Sequence, residues 1–441
     1  MVLNRTSKKK SRNAAEKPSK PAGFEARAGA LRHLHAVLEQ GRQLEESTAR
    51  GSPADRAEAK ALADMTLRRL NQIDAVLARF VERPPKGDSF HILRLMAAEL
   101  LFQGTASHAG VDMAVRVAKS SRSTARLSGL VNAVGRRLAE QGAAIVAEQD
   151  ATAMSLPDWL ETRLSTDWGR DTTRAIAAAH LVPAPHDLTL QMPDDADAMA
   201  QELDATILPT GSIRLNGRPQ ISALPGYAQG AWWVQDAAAA IPAGLVRAGP
   251  GTRVLDLCAA PGGKTMQLAA MGADVTALDV SDRRMERVAE NLERTGLSAE
   301  LVTADALEWA PDAPFDAILL DAPCSATGTI RRHPDLPHRG AQIDLDALED
   351  LQARLLSRAA GWLEPGGMLV YCTCSLFRSE GEAQIDAFLK QNSGFALDPI
   401  TDADSIPAEM IAAPGYLRTR PDQWAATGGV DGFFAARLRR Q

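Results

Sequence analysis

The chain has 441 residues, of which 45% are hydrophobic and 24% charged, which is ordinary for a soluble protein of two or three domains. Its net charge of −6 excludes an obvious polyanion binder along the whole length. The absence of an apolar run near ~20 residues, of an apolar leader and of a cysteine framework argues against membrane and secreted classes. We therefore expect a cytoplasmic protein with reduced thiols.

Residues 1–20 are strongly basic. Seven lysines and arginines face a single acid, Glu16. Such a run is usually a solvated, disordered tail, and it could also add nonspecific attraction to phosphate groups. We predict a basic disordered tail over 1–20, with contact to nucleic acid left open.

Residues 21–145 are predicted to form a compact all-α domain. Apolar residues recur there at three- and four-residue spacing, which is the period of a helix. A Pro-Pro-Lys-Gly turn at 84–87 separates the first helices from an apolar helix predicted over His91–Gln103. The repeat is clear at Leu62, Met65, Leu67, Leu70, Ile73, Val76 and Leu77.

Residues 146–235 have a mixed pattern that predicts a small α+β module. A helical stretch around Leu156–Ala179 is followed by a proline-rich turn and by short apolar segments with predicted turns at Pro209–Gly211 and Asn216–Gly217. Asn216–Gly217 lies between two such segments, where Asn-Gly is a good signal for a hairpin. We therefore predict a hairpin closed at Asn216–Gly217.

From residue 236 to 441 apolar strands alternate with amphipathic helices. This βαβ pattern predicts an α/β domain with a doubly wound, mostly parallel sheet. Ligands of such sheets bind outside the carboxyl ends of the strands, where the motifs described below also fall. Strands are predicted at 252–258, 274–280, about 299–303, 315–321 and 367–374, with helices at 282–295 and 344–363.

The segment Asp256–Thr265, with the sequence Asp-Leu-Cys-Ala-Ala-Pro-Gly-Gly-Lys-Thr, joins the first of these strands to its helix. Gly262 and Gly263 have no Cβ and let a ligand approach the backbone. The Gly-Lys-Thr end also fits the P-loop of a nucleotide triphosphatase, but Cys258 stands where the first glycine of a P-loop must fall. A Gly-x-Gly-x-x-Gly dinucleotide fingerprint is absent. S-adenosylmethionine, which needs no pyrophosphate cradle, is favoured.

Acidic residues near successive strand ends favour the same cofactor. Asp279 ends the second strand, 23 residues after Asp256, and a carboxylate there can accept both ribose hydroxyl protons. Asp305 follows the third strand, where it could meet an adenine. Each acid alone would be interpreted as a helix cap or a loop residue, but three successive strand ends weaken that interpretation.

Cys324 and Cys374 each follow a strand, in the motifs Asp-Ala-Pro-Cys-Ser and Tyr-Cys-Thr-Cys-Ser. Because a parallel sheet brings such ends together, the two thiols could face one pocket. Cys258 and Cys372 lie in or near apolar strands and are interpreted as small buried hydrophobes. No Cys-x-x-Cys occurs and the eight histidines are scattered, so no metal site is predicted.

Two thiols and a carboxyl group suit the methylation of carbon 5 of cytosine. Addition of a thiolate to carbon 6 turns the ring into an enamine, and carbon 5 can then attack an electrophilic methyl group. Ring nitrogen 3 must be protonated or hydrogen-bonded meanwhile, a task for a carboxyl group. The carbon 5 proton must then leave so that the thiol can be eliminated.

These motifs, in this order, resemble the RsmB/NOP2/Sun family of RNA 5-methylcytosine methyltransferases. The N-terminal helical region resembles a NusB-type domain, and this fusion is typical of bacterial members that modify small-subunit ribosomal RNA. The resemblance covers about 21–441 and implies a NusB-like RNA-binding domain over 21–145, an RNA-contacting module over 146–235 and a Rossmann-like class I methyltransferase domain over 236–441. Further matching motifs are His91–Leu95, Glu99–Phe102, Val131–Ala133, Gly226–Gly230, Gln235–Asp236, Arg331–Asp335 and Asp431–Phe434.

The resemblance also implies roles for single residues. Cys374 matches the family's nucleophile, and Cys324 matches the second cysteine, which promotes release of the product. Asp321 matches the acid that contacts the cytosine, and Lys264 is expected at the reacting centre. The residues implied at the S-adenosylmethionine site are Cys258, Ala259, Ala260, Pro261, Gly262, Gly263, Lys264, Asp279, Asp305 and Asp321.

The function implied is transfer of a methyl group from S-adenosylmethionine to carbon 5 of a cytidine in RNA, expected to be 16S rRNA, by a monomeric enzyme. Arg331, Arg332 and the basic tail would contact phosphates, and the target base would be single-stranded or flipped out. A noncatalytic RNA-binding or ribosome assembly factor is the alternative, against which the intact pair of cysteines argues.

Two departures from the family pattern concern RNA docking and one loop. Residues 189–192 lack the Arg-x-Asn that often marks the RNA-contacting module. Thr327 follows Ala326 where many relatives have Ser-Gly, which predicts a stiffer loop after Cys324.

Overall fold

The computed structural model describes residues 21–44 and 50–441, so the tail predicted over 1–20 lies outside the described residues. The N-terminal part is helical, as predicted, and comprises α1 (Phe24–Leu38), α2 (Pro53–Arg68), α3 (Leu70–Ala78), α4 (Asp88–Phe102), α5 (Ser107–Lys119), α6 (Arg122–Ala125), α7 (Ser128–Arg137) and α8 (Ala143–Ala147). Helix α4 is apolar around most of its circumference because the other helices surround it. None of the described helices, here or further along the chain, is long and apolar enough to cross a membrane.

The middle of the chain forms two helices and a small antiparallel sheet. The predicted helical stretch is divided into α9 (Asp158–Trp168) and α10 (Arg170–His180) by Gly169, whose φ of +78° favours glycine. The sheet has the order β2-β3-β1-β4. Its elements are β1 (Asp187–Leu190), α11 (Ala196–Glu202), β2 (Ala205–Ile207), β3 (Ile213–Leu215) and β4 (Trp232–Val234).

The prediction of a hairpin at Asn216–Gly217 was wrong. The hairpin of this module joins β2 to β3 through residues 208–212, which include the other predicted turn, Pro209–Gly211. Strand β3 pairs with β2 on one side and with β1 on the other. The chain that leaves β3 at Asn216 therefore finds no free edge on which to fold back.

The C-terminal part is an α/β domain built on one large sheet with the path β11-β12-β13-β9-β8-β5-β6-β7. The five strands from β9 to β7 are parallel, as predicted, whereas β13 inserts antiparallel beside β9 and continues the sheet to β12 and β11. The elements are α12 (Ala237–Leu245), β5 (Arg253–Leu257), α13 (Gly263–Ala270), β6 (Asp274–Asp279), α14 (Asp282–Thr295), β7 (Glu300–Thr303), β8 (Phe315–Asp321), α15 (Leu345–Gly361), β9 (Leu363–Thr373), α16 (Glu382–Gln391), β10 (Phe395–Leu397), β11 (Ile411–Ala412), β12 (Tyr416–Thr419) and β13 (Phe433–Arg440).

The N-terminal helices pack directly on the segment that follows β8. The Arg68 guanidinium donates to the carbonyl oxygen of Arg331 at 2.8 Å. The ring Nε2 of His338 lies 2.8 Å from the carbonyl oxygen of Leu67. These contacts fix the helical domain beside the carboxyl end of the large sheet.

Gly328 lies where the segment after β8 packs closely against the segments that contain Cys374 and Gly432. Its amide donates to the carbonyl oxygen of Cys374 at 2.9 Å, and an added Cβ would overlap the carbonyl group of Gly432. We expect Gly328→Ala to lower the free energy of unfolding by about 1–3 kcal/mol, as overpacking does. Urea denaturation measures this loss.

Gly361→Ala is the matched control, because an added Cβ there meets open space at the end of α15. It should leave stability unchanged or raise it by up to about 1 kcal/mol. Equal stability of the two variants would show that the contact between Gly328 and Gly432 is not maintained in solution.

Candidate active site

The parallel strands β5, β6, β8 and β9 end at one edge of the large sheet, where a cavity of about 550 Å³ opens. This volume lies in the range of small-molecule sites in proteins. The cavity is lined by Gln43, Leu44, Val234, Gln235, Asp236, Ala239, Asp256, Ala259, Ala260, Pro261, Gly263, Lys264, Asp321, Ala326, Thr329, Arg332, His333, Asp335, Leu336, Arg339, Cys374 and Phe433.

The loop between β5 and α13 forms one side of this cavity. The amides of Cys258 and Ala259 donate to the carbonyl oxygen of Leu278 at 2.8 and 3.0 Å, which ties the loop to the end of β6. Gly262 has a φ of +98°, and an added Cβ would lie 3.1 Å from Val288. Of the predicted cofactor residues in this loop, Ala259, Ala260, Pro261, Gly263 and Lys264 line the cavity, whereas Cys258 and Gly262 do not.

Cys324 and Cys374 meet, as the parallel arrangement predicts. Their Sγ atoms are 3.5 Å apart. Cys374 lines the cavity, whereas Cys324 is not among the lining residues. The hydrogen bond with Cys374, together with burial, raises the pKa of the Cys324 thiol well above its ordinary value. Cys324 is therefore a neutral thiol that can donate a hydrogen bond to the sulfur of Cys374.

Lys264 and Asp321 form an ion pair in the same cavity, with Nζ and Oδ2 2.7 Å apart. Burial disfavours the charge on Lys264, but the attraction of Asp321 outweighs it and raises the pKa of the amine. The Asp321 side chain keeps 31% of its surface exposed and so remains available to a ligand. The Sγ of Cys372, which is fully buried beneath the cavity, lies 3.5 Å from Asp321 Oδ1.

The predicted acids lie in different surroundings. Asp279 is buried at the end of β6, where its carboxylate accepts from the amides of Ala260 and Ser281 and from Arg284. Asp305 is exposed, accepts from the amide of Leu307 and does not line the cavity. The structure thus brings Asp279, but not Asp305, against the cofactor loop.

Motif residues far apart in the sequence join in a buried ionic network beside the cavity. Arg331 faces Asp236 and Asp431, each at 3.3 Å. Arg332 also pairs with Asp431, at 2.5 Å, and keeps 38% of its side chain exposed in the cavity. The expectation that Arg331 contacts phosphate was wrong, because only 2% of its surface is exposed and its charge is neutralised within the fold. Arg332 has the exposure that such a contact requires.

The N-terminal domain contributes to the cavity wall, which the sequence did not reveal. Gln43 and Leu44, between α1 and α2, line the cavity. The Leu44 amide donates to Asp335 Oδ2 at 3.3 Å, and Arg339 donates to the carbonyl oxygen of Gly41 at 2.9 Å. A substrate in the cavity would therefore meet residues of both domains.

The residues present fit a cofactor that carries positive charge and a ribose. Oδ1 of Asp256 is buried without a hydrogen-bond partner at the cavity wall, and Asp321 is partly exposed nearby. These carboxylates suit a cationic group. Asp279 adjoins the glycine loop at the strand end where such sheets hold a ribose, although its side chain is only 2% exposed and does not line the cavity. Within residues 21–44 and 50–441 no cluster of three or more His, Cys, Asp or Glu is arranged to hold a metal ion.

The largely parallel α/β sheet, the glycine loop after its first strand and the cavity at its carboxyl edge are those of a Rossmann-like class I methyltransferase. The chain belongs to the RsmB/F family of 16S rRNA methyltransferases, whose model matches residues 245–439, while the NusB family model matches residues 25–140. The predicted resemblance and the NusB-like and methyltransferase fold classes are thereby confirmed.

Individual relatives extend this similarity over nearly the whole chain. The ribosomal RNA small subunit methyltransferase B of Xanthomonas campestris is 39% identical over 443 residues, covering 95% of this chain and 97% of that protein. The crystal structure of PH0851 has the same fold, with a TM-score of 0.75 at 23% identity over 96% of this chain and 100% of that chain. A methyltransferase homolog from Pyrococcus horikoshii gives a TM-score of 0.54 at 27% identity, covering 65% of this chain and 95% of that chain.

The raised pKa of Asp256 predicts that the free energy of unfolding depends on pH. Burial raises the pKa of its carboxyl group to about 6, above the value near 3.9 of an unfolded chain. The stability that comes from folding around the neutral acid is complete below about pH 4 and is lost as the pH rises through about 6. Asp256→Asn should therefore gain stability relative to the wild type by up to roughly 3 kcal/mol between these values.

Urea denaturation of both proteins from pH 4 to pH 7 measures this difference. Other titrating groups cancel in the comparison, because the two proteins share them. A difference that stays constant over this range would show that Asp256 has the same pKa in the folded and unfolded states.

Proposed function

We propose that this chain transfers a methyl group from S-adenosylmethionine to carbon 5 of a cytidine in 16S rRNA, through a covalent bond between Cys374 and the base. The observation that carries the proposal is the separation of 3.5 Å between the Cys324 and Cys374 sulfurs, beside the ion pair of Lys264 and Asp321. Membership of a 16S rRNA methyltransferase family supports the choice of RNA.

Cys374 is the proposed nucleophile because it is the thiol of the pair that lines the cavity. Its thiolate would form a bond to carbon 6 of cytosine, and the electron pair of the 5,6 double bond would pass into the ring. As the carboxylate paired with Lys264, Asp321 can accept a hydrogen bond from the amino group beside nitrogen 3, while the charged Lys264 amine can donate to the electron-rich ring. Carbon 5 thereby becomes nucleophilic.

Cys324 is proposed to assist release. After methylation the carbon 5 proton leaves to a base, its electron pair restores the 5,6 double bond, and the bond between Cys374 and carbon 6 breaks. The departing sulfur carries the negative charge. The neutral Cys324 thiol, 3.5 Å away, can donate a hydrogen bond to it and make it a better leaving group.

The proposed cofactor site combines the glycine loop with the acids at the strand ends. S-adenosylmethionine, when bound, supplies the electrophilic methyl group. Lys264 and Asp321 would lie between the cofactor and the target base and contact both, and Asp279 would hold the ribose of the cofactor. The remaining proposed contacts that line the cavity are Ala259, Ala260, Pro261 and Gly263. Cys258, Gly262 and Asp305 stay part of the proposed site although they do not line the cavity as it stands.

The proposed RNA substrate must present an unpaired base. A base in the cavity has to lie outside a stacked duplex so that a thiolate can reach its face. Arg332 is positioned to contact a phosphate near that base, since its exposed part lies in the cavity. The helical domain over 21–145 and the module over 146–235 are proposed to hold the flanking RNA.

Replacement of each cysteine tests the mechanism. With unmodified 16S rRNA and S-adenosylmethionine, Cys324→Ala should accumulate a protein–RNA adduct that survives a denaturing gel, because attack proceeds and release is slow. Cys374→Ala should form no adduct and lower methyl transfer by about 10³-fold or more. Mass spectrometry of the digested product should give 5-methylcytidine from the wild type.

The double variant Cys324→Ala/Cys374→Ala is the control and should form no adduct. If Cys374→Ala forms an adduct and Cys324→Ala does not, Cys324 is the nucleophile and Cys374 assists release. If no variant forms an adduct while the wild type methylates another atom, the covalent mechanism is wrong. If the wild type does not bind S-adenosylmethionine in calorimetry, the noncatalytic alternative replaces the proposal.

A further inference from the structure

Glu380 is a fully buried carboxylate just beyond the cysteine-bearing end of β9. It accepts four hydrogen bonds, two at each oxygen. Oε1 accepts from the Ser325 amide at 2.8 Å and from Gln352 Nε2 at 2.9 Å. Oε2 accepts from the hydroxyls of Ser325 and Ser375, each at 2.5 Å. All hydrogen-bonding positions of the carboxylate are thereby filled.

These donors come from both loops that carry the paired thiols. Ser325 directly follows Cys324, and Ser375 directly follows Cys374. The carboxylate is therefore a bridge between two segments that are 50 residues apart. Gln352, in α15, donates both to Glu380 and to the carbonyl oxygen of Pro323, which links the bridge to that helix.

Thr327 adds a second tie between the same loops. Its hydroxyl accepts from the Leu376 amide at 3.0 Å and lies 3.3 Å from the Ser375 hydroxyl. The stiffness predicted for the loop after Cys324 stays a prediction, and these contacts are consistent with it. This tie is neutral, however, whereas Glu380 brings a charge.

The charge of Glu380 is held by neutral donors. Among the described residues no lysine, arginine or histidine forms an ion pair with it. Burying a carboxylate in this way is costly unless every lone pair is satisfied. Here all four lone-pair positions are satisfied, and the charge of Glu380 also favours the neutral form of the nearby Cys324 thiol.

We propose that Glu380 is a positioning residue that locks the Cys324 loop and the Cys374 loop together and so sets the distance between the two thiols. The inference rests on the proposed function of that pair. Because Ser325 and Ser375 hold different loops, each connection serves a different step. The Ser375 connection orients Cys374 for attack, and the Ser325 connection orients Cys324 for release.

Glu380→Gln is the first test, because it keeps the shape and removes the charge and two acceptor positions. We expect kcat to fall roughly 10- to 100-fold, the size of effect that misplacement of reacting groups by about 1 Å produces. The KM values for RNA and for S-adenosylmethionine should stay within about twofold, since Glu380 does not line the cavity. Steady-state methylation assays measure all three constants.

Ile385→Val is the matched control for a loss of packing. Ile385 is fully buried in the neighbouring helix α16 and contacts neither cysteine loop by a hydrogen bond. It should lower the melting temperature while kcat stays within about twofold. A Glu380→Gln protein that is folded and has wild-type kcat overturns the proposal. So does an equal loss of kcat in Ile385→Val.

Two single-serine variants keep the proposal testable if Glu380→Gln does not fold. In rapid-quench experiments on denaturing gels, Ser375→Ala should slow formation of the RNA adduct, and Ser325→Ala should slow its disappearance. A purely structural role would slow both steps equally in both variants, and that result would overturn the proposal.

The Cys324→Ala variant separates this inference from the function on which it rests. If Cys324→Ala accumulates an adduct and the Glu380 and serine variants behave like the wild type, only the positioning role fails. If Cys324→Ala and the wild type give neither adduct nor 5-methylcytidine, the proposed function itself fails.

Discussion

The parallel pairing of β8 with β9 is the constraint on which the site depends. Asp321 lies opposite Cys372 in this pairing, so the two strands end side by side and their loops leave the sheet at one edge. The sulfurs of Cys324 and Cys374 consequently meet at 3.5 Å. Helix α15 connects the two strands and packs on the sheet. Strand order, helix packing and thiol geometry are therefore consequences of one arrangement.

A second constraint is the ionic network around Arg331. Its guanidinium faces Asp236 and Asp431, and its carbonyl oxygen accepts from Arg68 of the N-terminal domain. Buried ions lose several kcal/mol of hydration each, and apolar replacements are often equally stable. We interpret the network as a set of contacts that orients the domains relative to one another. It joins the helical domain, the start of α12 and the C-terminal strands, and it leaves Arg332 in the cavity.

The periodicity of apolar residues correctly predicted those helices and strands whose pattern is visible within their own sequence. Helix α14 and strand β8 have the bounds that periodicity gave, 282–295 and 315–321. The wrong predictions depended on distant contacts. Asn216–Gly217 has the residues of a hairpin turn, but the preceding strand is already paired on both edges. The sequence around Arg331 suggested a residue that contacts phosphate. Its charge is instead neutralised by Asp236 and Asp431, which come from distant segments. The C-terminal strands were not predicted, since no local repeat reports that β13 pairs with β9.

The sequence by itself determined which chemical groups stand at the ends of the strands. Residue identity and the periods of helix and strand are local properties, and they were enough to select Cys324 and Cys374, while the resemblance to the family implied the role of Asp321. Only the tertiary structure decided that Lys264 pairs with Asp321 and that Leu44 of the N-terminal domain lines the cavity. These contacts join segments tens to hundreds of residues apart. Their geometry is set by how the domains and layers pack, and no local period encodes that packing.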